Sequence, residues 1–219
     1  SSGIILIAAG TVGLAALKST NRSDIHPFTT QKFWSLIMVI FLMLSPFLYF
    51  LFWSDVRASM GTGFPVRVMT YNVHQGFGTA GKLNMETIAQ VIEDEKPDVV
   101  ALQEISRGWL INGSVDMLDW LSQRLSLPYI SGPTADSLWG NAVLSRYPIN
   151  SARTYLMPNN EDMLIKRGFI WMEIDIGKGQ IINFINTHLH AGEGDGYLRV
   201  PQVAFIIDEW QGANATVLL

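Results

Sequence analysis

The run Phe33 to Trp53 (FWSLIMVIFLMLSPFLYFLFW) constrains this chain more than any other feature: it passes 21 residues without a charge. As a helix rising 1.5 Å per residue it reaches roughly 31 Å, the thickness of a bilayer's hydrocarbon core. Trp34, Tyr49 and Trp53 stand near its ends, with Lys32 and Arg57 just outside, as interfacial anchoring requires. Pro46 would kink such a helix, which membrane helices tolerate. A buried core helix of this length would ordinarily keep a polar face. This one has none, and the sequence predicts a transmembrane helix over 33–53. A second apolar stretch, Ile4 to Leu17, has no basic segment before it and no clean small-residue cleavage site after it. It is read as a partial transmembrane helix at 1–18, joined to the next by a loop at 19–32. That loop carries Lys18, Arg22 and Lys32 against Asp24, and the far flank carries Arg57 and Arg67 against Asp55. The imbalance favours an integral membrane protein with a cytoplasmic loop and an extracytoplasmic C-terminal domain.

Residues 54–65 are small, polar and Gly/Pro-bearing, and read as a linker. From Val66 the pattern changes to alternating strands and helices. Val66–Tyr71, Val99–Leu102, Asn141–Ser145, Phe169–Ile176, Ile181–Asn186 and Thr216–Leu219 read as strands. Asn84–Glu95 has helical apolar spacing with Asn84 as N-cap; Val115–Leu125 and Leu198–Trp210 read as further helices. The sum over 66–219 is an α/β domain. A net charge of −4 and a pI near 5.5 give no overall basic field for nucleic acid. The chain has no cysteine, which removes disulfides and thiolate chemistry.

Several strands finish in polar residues able to hold a metal or a phosphate. The first ends at Asn72 with His74 beyond, the second at Gln103-Glu104, and a later one at Asn186-Thr187-His188. Ligands of sheet-based folds gather at strand ends, where loops present side chains on a rigid frame. A carboxylate directly after the apolar run DVVAL is costly to bury unpaired, and a hard cation such as Mg²⁺ would compensate it. Each residue has a plainer reading. Glu104 could be a strand-end acid in a salt bridge, Asn72 a turn residue bonding its own backbone, and His188 a satisfied core histidine. A zinc site built from His74, His188 and His190 has poor ligand spacing and no cysteine. Arg199 and Gln202 suit the start of the last helix.

The segments VMTYNVHQG (68–76), PDVVALQEI (97–105), WGNAVLSRYPI (139–149), INFINTHLH (182–190) and RVPQ (199–202) together resemble the endonuclease/exonuclease/phosphatase superfamily. The stretch from Gly113 to Ile149 is most similar to the C-terminal domain of membrane proteins implicated in GPI-anchor lipid remodelling. The resemblance implies a deoxyribonuclease-like two-sheet α/β sandwich, preceded by transmembrane helices, that acts as a Mg²⁺-dependent phosphodiesterase or phosphatase. It implies Glu104 as the principal Mg²⁺ ligand, Asn72 as a catalytic-site residue that helps bind metal or phosphate, and His188 as a catalytic residue against the scissile phosphate. Asn141 and Arg167 would bind the phosphate. The superfamily's Gly-Asp-x-Asn and C-terminal Asp-His motifs do not occur, so the domain is read as incomplete at its C-terminus and these 219 residues as inactive alone. The expected substrate is a phosphate ester, with a lipid-linked one fitting the anchor and the acidic charge better than DNA. A surface nuclease and a non-catalytic head-group-binding domain are the alternatives. Nothing in the sequence indicates an oligomer.

Overall fold

A computed structural model describes residues 30–52, 54–159, 163–213 and 216–219. It divides into two compact units, 1–55 and 56–219. The first contains helix α1 (Thr30–Phe52), 23 residues with Pro46 inside, where the long apolar run predicts a helix. Its described side chains are largely exposed, Phe41 by 71% and Met38 by 64%. Among the described residues no helix is long and apolar enough to cross a membrane. The expected partial helix at 1–18 and Trp53 lie outside the described residues.

The second unit holds two four-stranded sheets. One, in the order β1-β2-β4-β3, comprises β1 (Val68–Asn72), β2 (Val99–Ser106), β3 (Tyr129–Asp136) and β4 (Trp139–Ser145). The other, in the order β5-β6-β7-β8, comprises β5 (Ile149–Leu156), β6 (Gly168–Gly177), β7 (Gln180–Thr187) and β8 (Thr216–Leu218). Side chains alternate across a strand, and β2 shows what that does here. Val99 and Ala101 join Ile170, Met172 and Phe184 in a core that includes residues of both sheets. Val100 and Leu102 face the other way, among Ile88 and Ile92 of α2 (Met85–Glu95) and Leu118 and Leu121 of α3 (Met117–Leu125). On the outer face of the second sheet, Phe169 and Ile185 pack with Ile206 of α4 (Gly196–Trp210). The layers run helix, sheet, sheet, helix, as the α/β sandwich expectation requires. Asn84 caps α2 as predicted, its Oδ1 accepting from Thr87 N at 3.1 Å.

Two strands, β3 and β5, differ from the sequence reading, which leaves them unassigned. Both are sheet edges. β3 contains Gly132 and Pro133, residues that argue against a strand except at an edge or bulge. Gly132 is needed because the other sheet comes so close: a Cβ there would lie 2.3 Å from Ile170 Cγ1. β5 (INSARTYL) is mostly exposed and polar, so it offers no apolar run to read.

Candidate active site

β1 and β2 are parallel neighbours in which Asn72 pairs with Gln103, so their C-terminal ends share one edge. Between Leu102 and Ile105 the register of β2 against β4 shifts. Residues 103 and 104 there oppose Asn141 alone, which is a β-bulge. Glu104 sits on the bulge with φ at +58°, a left-handed conformation that costs a non-glycine residue about 1–3 kcal/mol. The bulge turns its carboxylate away from the strand alternation and toward Asn72, whose Nδ2 donates to Glu104 Oε1 at 3.1 Å. Asn72 Oδ1 in turn accepts from His74 N at 3.0 Å.

The other half of the cluster comes from the second sheet. Phe169 of β6 pairs antiparallel with Thr187 of β7. The residue before β6, Arg167, is therefore beside the residue after β7, His188. Arg167 Nη1 lies 2.9 Å from His188 Nδ1. Because guanidinium can only donate, Nδ1 is the acceptor, which assigns the ring proton to Nε2. That Nε2–H lies 3.7 Å from Glu104 Oε1. Burial, then the nearby Arg167 guanidinium, push His188 down to about 4, against the opposing pull of Glu104. At neutral pH the imidazole is uncharged, so its approach to Glu104 is a dipolar contact and not an ion pair. Burial also lowers the pKa of Arg167, partly offset by Glu104.

Buried amides lock the two halves together. Asn186, fully buried on β7, donates from Nδ2 to Leu102 O (2.9 Å) and Ala142 O (2.8 Å) and accepts from Gln103 Nε2 (2.8 Å). It ties β7 of one sheet to β2 and β4 of the other, next to the bulge. Asn141, expected to bind phosphate, is 2% exposed and donates from Nδ2 to Gly168 O at 2.9 Å, fastening the residue after Arg167.

Sequence reasoning did not single out Trp139. It is 3% exposed, its ring 5.7 Å from Arg167 Cζ and 6.4 Å from the His188 ring. Trp109 stacks on it at 6.1 Å and donates its indole N–H to Asp136 Oδ2 at 3.1 Å. A tryptophan in WGNAVLS reads as core, and only the fold puts it against Arg167. Three polar atoms around the cluster, Arg167 Nε, Trp139 Nε1 and Thr187 Oγ1, are buried without a hydrogen-bond partner. A buried unpaired donor costs about 1–3 kcal/mol, and an incoming anion would repay it.

Beside Asn72 opens a cavity of about 650 Å³, lined by Tyr71, His74, Phe77, Thr79, Asn84 and Thr87 among others. His190 belongs to a separate group. Its Nε2 lies 2.9 Å from Asp195 Oδ2, its backbone N–H donates to Gln202 Oε1, and Arg199 donates to Gly192 O. Among the described residues, no group of three or more His, Cys, Asp or Glu could hold a metal ion. Glu104 offers a carboxylate, positioned by Asn72 Nδ2, while Asn72 Oδ1 is engaged by His74 N. That carboxylate fits a hard cation which keeps several waters and needs only one or two protein carboxylates.

A family model described as the PGAP2IP C-terminal nuclease-like domain, of the exo/endonuclease/phosphatase class, matches residues 65–219. The chain belongs to this family. The chain is also similar to sphingomyelin phosphodiesterase 5 of Danio rerio, 41% identical over 85 residues, 36% of this chain and 15% of that protein. An endonuclease/exonuclease/phosphatase of Beutenbergia cavernae superposes with a TM-score of 0.60 at 24% identity, over 70% of this chain and 46% of its own. TDP2 of Danio rerio complexed with single-strand DNA product superposes with a TM-score of 0.55 at 16% identity, over 70% of this chain and 58% of its own. These structures share the fold. The chain spans about half their length and far less of the sphingomyelin phosphodiesterase.

Proposed function

We propose that this PGAP2IP-type domain is part of a Mg²⁺-dependent phosphoric ester hydrolase that acts on a lipid-linked phosphodiester, in a protein anchored to the membrane through α1. The observation that carries the reading is the meeting of Asn72, Glu104, His188 and Arg167 at one edge of the two sheets, with orphaned donors around them. Glu104, with help from Asn72, would hold the cation, which neutralises charge developing on the phosphoryl oxygens when bound. Arg167 keeps an unpaired Nε–H for a phosphate oxygen. Neutral His188 presents Nε2–H as a second donor, because Arg167 occupies its other nitrogen. The same arrangement denies His188 the role of proton acceptor for the attacking water. Asn141, first expected to touch phosphate, is read as the anchor of the segment that carries Arg167.

The lipid-linked substrate is supported by the similarity to a sphingomyelin phosphodiesterase and by the acidic net charge, which does not favour duplex DNA. The test is Mg²⁺-dependent release of water-soluble phosphate ester from detergent-dispersed lipids by the full-length protein. Glu104→Ala should lower turnover by about 10²-fold or more, the scale of losing a main electrostatic contributor. Turnover retained by Glu104→Ala in Mg²⁺ would overturn the assignment.

A further inference from the structure

The connections around the site differ from those at the opposite end of the sheets. Away from the site, the turns are polar or rigid: Lys96-Pro97 leads into β2, Arg146 to Pro148 joins β4 to β5, and Lys178-Gly179 joins β6 to β7. At the site end, three connections expose large apolar side chains instead. Leu110 and Ile111, on the loop after β2, are 90% and 66% exposed. Leu164 and Ile165, just before Arg167, are 98% and 43% exposed, and Leu138 in the β3–β4 turn is 42% exposed.

Isolated apolar residues on a surface require no explanation; these are joined to one another and to the site. Trp109, the neighbour of Leu110, stacks on Trp139, the neighbour of Leu138, and bonds Asp136 of the same turn. Trp139 then contacts both Arg167 and His188. In the 3-10 turn Leu110–Asn112, Asn112 is buried while Leu110 and Ile111 project outward. The tips at Leu110 and Leu138 are thus held by packed tryptophans and do not depend on being covered by their own loops. Exposed Lys166, between Ile165 and Arg167, adds positive charge where anionic head groups would lie.

We infer that Leu110, Ile111, Leu138, Leu164 and Ile165 form a docking rim that inserts into a lipid surface and presents the phosphoryl site to head groups. This deepens the reading above by naming the surface through which a lipid-bound substrate arrives, and it rests on that reading for the substrate's nature. Protruding tips on separate loops, with a cation beside them, suit the soft boundary of a bilayer. A flat, contiguous apolar patch would suit a folded protein partner better.

The chain's lack of cysteine makes a direct test available. Single-cysteine variants Leu110→Cys and Leu164→Cys of the full chain are labelled with an environment-sensitive fluorophore and reconstituted in phosphatidylcholine–phosphatidylserine vesicles. Asp94→Cys, at an exposed position of α2 near the entry to β2, is the control. With insertion of about 5–10 Å, lipids carrying a doxyl quencher in the acyl chain should quench the two rim labels at least about threefold more than the control. Equal quenching at all three positions, or none at the rim, overturns the rim, including the case in which the tips serve a protein partner. The readout is independent of hydrolysis. Rim quenching without turnover sinks the hydrolase reading alone, and turnover without rim quenching sinks only the docking.

Discussion

Replacing Asn186 tests the physical basis of the site without touching any residue assigned to chemistry. Its side chain makes three buried hydrogen bonds, to Leu102 O, Ala142 O and Gln103 Nε2, at 2.8–2.9 Å. In Asn186→Ala each lost bond removes about 1 kcal/mol, and a buried group left unpaired costs about 1–3 kcal/mol. Gln103 Nε2 keeps Thr70 Oγ1 at 3.1 Å, so its loss is the mildest of the three. The total comes to about 3–5 kcal/mol, a large share of the roughly 5–15 kcal/mol that stabilises a domain. For a domain of this size that lowers the melting temperature by about 10 °C. Asn186→Asp is the sharper variant because it preserves shape. An ionised carboxylate would point oxygen at two carbonyl oxygens, so it should melt below Asn186→Ala at neutral pH. Those contacts raise the carboxyl's folded-state pKa above its unfolded value of about 3.9. The penalty is then absent below the unfolded pKa and grows as pH rises toward the folded one. Melts of the full-length protein in detergent, followed by tryptophan fluorescence, decide the matter. If Asn186→Ala melts within about 2 °C of wild type, or Asn186→Asp shows no recovery in acid, the buried amide is not what holds the sheets in register.

Two further outcomes are expected. Glu104→Gly removes a carboxylate from a residue at φ +58°, a conformation that glycine adopts freely. It should melt at or above the wild-type temperature while losing turnover, the signature of strain kept for function; a melting point several degrees lower would refute the strain. His188, held down to about 4 against an ordinary 6.5, also makes stability depend on pH. The unfolded chain binds this proton between those values and the folded chain does not, so stability should fall as pH drops from about 6.5 to about 4 and level off below. His188→Gln should flatten that window in metal-free melts; an unchanged slope would show that His188 is not the group responsible.

The fold was legible wherever apolar periodicity carried it. α2 and its Asn84 cap, α3, β2, β6 and β7 follow from spacing alone, because each buries a regular set of side chains. β3 and β5 were not legible, since an edge strand needs no second buried face and here tolerates Pro133 or a polar, exposed run. At the site, the polar strand ends announced Asn72, Glu104 and His188. The resemblance supplied Arg167, which no local pattern marks. Trp139 and the cross-sheet role of Asn186 could not be read in one dimension: both depend on one sheet lying over the other, and their neighbours in sequence are ordinary core.

The cluster is assembled from one sheet's parallel pair and the other sheet's antiparallel pair, so its geometry depends on how the sheets lie over each other. Apolar packing alone fixes that weakly, because side chains such as Ile170 and Met172 tolerate small slides at little cost. Asn186 does not. Its two donated bonds are directional, and both carbonyls they reach belong to strands flanking the bulge. A slide of one ångström would break them and also part His188 from Glu104. The buried amide therefore sets a distance that the hydrophobic core leaves loose, and it does so two residues from His188. The strain at Glu104 persists because β2 is held on both sides, by β1 and β4 within its sheet and by Asn186 from the other. Released from either, the bulge could relax, and the carboxylate would return to the alternation of its strand, facing away from Asn72.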